Sequence, residues 1–108
     1  IELVSPDGGE LIHSGTVHQI QWSVPASADH FTLRYSCDGG ANWSRIARNV
    51  QGTGYDWQVP EFNSDMNQCM VRVTAFDQSG VKLGRDDSDN TFTIEAVKLM
   101  VIAPAGGE

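Results

Sequence analysis

The chain has 108 residues, enough for one domain. Its charged fraction is only 19%, which excludes a long disordered tract or a coiled coil. A net charge of −7 makes non-specific binding to nucleic acid or to an anionic membrane surface a poor reading, and no apolar run approaches the ~20 residues of a membrane span.

Short alternating segments follow one another along the chain, and none holds a helical period for three turns. Residues 1–4 carry apolar Ile1, Leu3 and Val4 and end at the turn "SPDGGE". In 16–23, His18, Ile20 and Trp22 share one face, with Gln19 and Gln21 on the other. In 30–36, Phe31, Leu33 and Tyr35 point inward, with Thr32 and Arg34 outward. Residues 42–48 follow the turn "CDGGAN", and 54–59 group Tyr55, Trp57 and Val59. In 69–76, Cys69, Val71, Val73 and Ala75 share a face; 91–96 contribute Phe92 and Ile94. About seven short strands, with turn clusters between them, predict an all-β antiparallel sandwich over 1–96. The expected core is Ile20, Trp22, Leu33, Tyr35, Trp57, Val71, Val73 and Phe92.

The end of the chain restates its beginning. Pro6, Gly8, Gly9 and Glu10 recur as Pro104, Gly106, Gly107 and Glu108, about one small domain further on. Apolar Ile1, Leu3 and Val4 align with Leu99, Val101 and Ile102. Tandem units that open alike explain this, so 97–108 is expected to be a linker plus the first strand of a following, truncated repeat. The Ile1 start, with neither initiator Met nor signal peptide, is likewise expected of an excised fragment. No Gly, Ser or Pro lies between Phe92 and Pro104, so neighbouring units would be joined stiffly. The tail 99–108 is expected to pair with a sheet edge of its own domain or of a neighbouring molecule.

"SPDGGE…SGT…IQW", continued by "LRYSCDGGANW", "YDWQVP", "VRVTA" and "SDNTFTI", resembles fibronectin type III-like or immunoglobulin-like modules of secreted microbial proteins. The resemblance covers about residues 1–96. It implies a non-catalytic spacer or adhesive module outside the cell, at the cell surface or in the periplasm. Its partners would be adjacent domains of the same chain, with a polysaccharide or cell-surface ligand as the alternative role of a binding module on an extracellular hydrolase. No catalytic residues carry over.

Four features carry local chemistry. "SCDGGANW" resembles the Asp-box hairpin of sialidase propellers at Ser36, Asp38, Gly40 and Trp43. There Asp38 would accept backbone N–H bonds, Gly40 take positive φ and Trp43 fold back as a cover. Cys37 and Cys69 fall near one rim of a sandwich, where one strand ends and its neighbour begins; a disulfide there fits an oxidising compartment, and two free thiols are the alternative. Asp86, Asp87, Asp89 and Asn90 in "RDDSDN" form either a solvated acidic turn or a Ca²⁺ site; no other cofactor is expected. Trp22, Trp43 and Trp57 would make a sugar platform only if exposed, whereas parity puts Trp22 and Trp57 in the core; Phe62, Met70 and Phe76 are the exposed apolar candidates. His13, His18 and His30 lie on separate segments without metal-ligand spacing, and no nucleophile elbow or acid–base pair marks an enzyme.

Overall fold

A computed structural model of the chain describes residues 2–24 and 27–96. The chain passes through nine strands: β1 (Glu2–Ser5), β2 (Leu11–His13), β3 (Val17–Ser23), β4 (His30–Ser36), β5 (Ser44–Val50), β6 (Gly54–Gln58), β7 (Met66–Phe76), β8 (Lys82–Asp87) and β9 (Phe92–Glu95). One sheet has the order β1-β3-β6; the other runs β2-β9-β7-β4-β5, with β8 also on β7. All pairings are antiparallel except β2 with β9. The two-sheet, all-β architecture agrees with the alternation of the sequence.

Nine strands replace seven because the first and last passages are each broken in two. β1 lies on β3 in one sheet, and β2 lies on β9 in the other, so the first passage changes sheets across residues 6–10. β8 and β9 both lie along β7, at its two ends, as halves of one passage. Between the pairs Arg72↔Asp87 and Cys69↔Phe92, β7 advances three residues and its partner five, so two extra residues are looped out. Residues 85–87 therefore belong to a strand and not to an acidic turn. The strand at 42–48 is shifted to Ser44–Val50, and the one at 69–76 starts earlier, at Met66.

The core forms where the inner faces meet. Leu3, Ile20, Trp22 and Trp57 from one sheet pack against Phe31, Leu33, Val71, Val73, Phe92 and Ile94 from the other, all buried. Two aromatic contacts join the sheets: Trp22 to Phe31 at 5.2 Å and Tyr35 to Trp57 at 5.4 Å between ring centroids. The expected core set is buried throughout except Tyr35, which is only partly covered. Residues 97–108, including the second Pro-x-Gly-Gly-Glu copy, lie outside the described residues, as does the tail's expected edge pairing.

Trp22 tests this packing. Its Nε1 is buried without a hydrogen-bond partner among the described residues, so its ring contributes volume and contact rather than a polar bond. Trp22→Ala should cost ~3–5 kcal/mol by urea unfolding. Trp22→Phe keeps an aromatic ring, gives up no hydrogen bond, and should recover at least half of that loss.

Candidate functional site

The polar motifs singled out in the sequence gather at two places, and each gathering begins with backbone groups that need partners. At the first, both broken passages leave strand geometry side by side, at residues 6–10 and 88–91. Backbone N–H and C=O groups released by a break must be satisfied elsewhere when buried. Here the two breaks satisfy one another. Asn90 N donates to Asp7 O at 2.9 Å, Gly9 N to Thr91 O at 3.0 Å, and Thr93 N to Glu10 O at 3.0 Å. Ser88, 3% exposed, is the hub: its hydroxyl donates to Pro6 O at 2.8 Å and accepts from Val71 N at 3.0 Å. The Glu10 carboxylate closes its own turn by accepting from Asp7 N at 2.8 Å and Gly8 N at 2.7 Å.

Gly8 shows how tight the junction is. Its φ is +146°, and an added Cβ would come within 2.6 Å of Asn90 Cβ. "SPDGGE" and "DSDN", which the sequence presents as separate motifs, are two halves of one fastening.

This fastening redistributes the four residues considered for Ca²⁺. Asp86 accepts from Leu3 N at 2.7 Å, and Asp87 grips Arg72 with both oxygens at 2.8 and 3.2 Å. The backbone of Asp89 donates to the Asp7 carboxylate at 3.1 Å. The Asp7 charge raises the Asp89 carboxyl above its usual range, with burial adding to it. Among the described residues no three His, Cys, Asp or Glu side chains are grouped to hold a metal ion. The histidines stay apart: His13 pairs with Glu95 at 2.8 Å and His30 with Asp29 at 3.0 Å.

The second gathering lies where β4 runs into the hairpin toward β5. Ser36 stands opposite Met70, which sets Cys37 beside Cys69, and the two form a disulfide. It closes a loop of 32 residues, worth roughly 3–4 kcal/mol through restriction of the unfolded chain. It leaves no free cysteine. In the adjoining turn, Asp38 accepts from the Ser36 hydroxyl at 2.6 Å, from Asn42 N at 2.9 Å and from Asn42 Nδ2 at 2.8 Å. These bonds, the Ser36 hydroxyl first, lower the Asp38 carboxyl to about 2. Gly40 has φ +94°, and Trp43 Nε1 donates to Gly40 O at 3.0 Å, folding the indole back over the turn.

Two of the surface depressions among the described residues lie beside these elements. One, of about 250 Å³, adjoins the disulfide and is lined by Tyr35, Asp38, Asn42, Phe62 and Met66 among others. The other, of about 750 Å³, lies against the three-stranded sheet beside Gln19, Gln21, Thr53, Gly54 and Asp56. A tryptophan platform is not formed: Trp22 and Trp57 are buried, and Trp43 is covered by the Arg72 guanidinium, 4.0 Å from its ring centroid. Phe76 is stacked on His30.

No protein-family profile and no curated protein matches the sequence. Solved structures do resemble its fold. A Fn3-like protein from Clostridium thermocellum superposes with a TM-score of 0.56 at 18% identity, over 86% of this chain and 91% of that one. The fibronectin(III)-like modules of Clostridium thermocellum CbhA give 0.59 at 13% identity, over 94% of this chain and 49% of theirs. The chain is a fibronectin type III-like β-sandwich. A β-1,2-glucanase from Parabacteroides distasonis matches the Fn3-like sandwich with a TM-score of 0.54 at 16% identity, over 93% of this chain but only 12% of the glucanase.

Both gatherings can be probed in the Fn3-like sandwich. Gly8→Ala forces Asn90 aside and should destabilise by about 1–3 kcal/mol, read as a lower denaturant midpoint. Asp38 stabilises as the carboxylate, because its folded pKa lies below its unfolded 3.8. Its contribution is therefore fully present above about pH 4 and lost as pH falls through about 2. The difference in melting temperature between wild type and Asp38→Asn should be constant at neutral pH and shrink across that acidic window.

Proposed function

We propose that the chain is a non-catalytic structural module of a secreted or cell-surface protein that acts on carbohydrate, one unit of a tandem series that spaces or displays its neighbours. The observation that carries this reading is the use to which the polar motifs are put. "SPDGGE", "DSDN" and "SCDGGANW" supply hydrogen bonds to backbone at breaks and turns, and so serve shape. The fold similarity to Fn3-like modules and to a segment of a β-1,2-glucanase chain supports the carbohydrate context. The disulfide supports a location outside the cytoplasm.

The partners in this reading are the adjacent domains of the same chain. In this reading residues 97–108, which lie outside the described residues, open the next unit: no Gly, Ser or Pro precedes Pro104, and the Pro-x-Gly-Gly-Glu sequence recurs from there. The module would thus be coupled to its successor without a hinge.

Deletion of residues 99–108 tests the assignment. A module complete at its last core strand should unfold cooperatively after deletion, with a denaturant midpoint within the error of the intact chain. Loss of cooperative unfolding would show that the tail belongs to this domain and would overturn the repeat reading.

A further inference from the structure

The chain holds 7 Lys and Arg against 14 Asp and Glu. With cations this scarce, their placement is informative. Arg34 on β4 stands directly opposite Arg45 on β5 and directly opposite Arg72 on β7. Directly opposed residues share a face, and neighbouring strands are about 4.8 Å apart. Three guanidinium side chains therefore stand in a row across three strands. Leu33, Val71 and Val73 are buried on the opposite face, so the row lies on the outside of the sheet. Two residues along the strands, the next line on this face reads Thr32, Thr74 and Arg85. Four arginines of an acidic protein occupy one sheet face.

Like charges directly opposite one another destabilise a sheet. The structure compensates one of them only. Arg72 has the Asp87 carboxylate and the Trp43 ring. Arg34 and Arg45 have no carboxylate partner among the described residues. The row retains two uncompensated charges, and their repulsion is relieved when an anion bridges them.

We propose that this face binds a carboxylate-bearing polysaccharide, lying across β5, β4 and β7. The guanidinium fork is matched to carboxylate. The row presents its cations at steps comparable with the length of a sugar unit, on a sheet face rather than in a closed pocket, which suits an extended polymer with spaced charges. Duplex nucleic acid, with a phosphate charge every ~1.7 Å, carries its charge far more densely than a row stepped at about 4.8 Å. The proposal adds a binding activity to the structural role and does not depend on the tandem reading.

Calorimetric titration of the 108-residue chain with polygalacturonate tests it, with fully methyl-esterified polygalacturonate as the uncharged control and duplex DNA as a second polyanion. Binding should occur with the free acid, weaken as salt is raised, and be absent with the ester. Arg34→Gln should weaken binding by about tenfold, without lowering the melting temperature, since it also removes like-charge repulsion. Arg45→Gln, exposed on its strand, serves as the second variant and should show the same loss. Equal binding of acid and ester, tighter binding of DNA than of polygalacturonate, or undiminished binding by both variants would each overturn the proposal.

Discussion

A sandwich whose first and last strands both break has to find partners for every backbone group the breaks release. Two breaks placed side by side meet that demand with few side chains. Ser88 and Glu10 hold the junction from within, one between the two passages and one inside its own turn. The change of sheet between β1 and β2 depends on it, because β2 pairs with β9 on the edge that β7 leaves open, beyond the break between β8 and β9. The sheet that carries the arginine row is completed by the same event.

Much of this was legible in the sequence, through particular residues. Alternation around Trp22, Leu33, Trp57 and Val71 marks strands with one buried face, and burial follows it. The proximity of Cys37 and Cys69 follows from the order of strands in a sandwich, and the disulfide forms where that order puts it. β8 was not legible, for a physical reason. Its inward positions are Gly84 and Asp86, opposite Ala75 and Val73, while Val81 and Leu83 are exposed. The hydrophobic signal is inverted because Asp86 faces inward to accept from Leu3 N. β2 escaped because three residues, with Ile12 buried between two exposed neighbours, are too few to show a period.

The union of "SPDGGE" with "DSDN" was also beyond sequence reading. Each looks self-sufficient: one as a glycine-rich turn, the other as an acidic cluster. Their complementarity lies in donors and acceptors of the main chain, which carry no sequence signature. The arginine row was hidden in the same way. Arg34, Arg45 and Arg72 are scattered along the chain, and only strand register lines them up. A bulge in β5 beside Leu33 and Arg34 decides that Arg45 is the residue opposite Arg34.

The junction also sets an order of events during synthesis. Leu3 and Pro6 leave the ribosome before their partners Asp86 and Ser88, which emerge more than eighty residues later. β1 can pair with β3 as soon as that strand is made, but the turn that follows it must wait for its junction partners until the last passage is complete. During that interval the glycine-rich turn, with no β-branched residue between Pro6 and Glu10, is a poor seed for premature strand pairing.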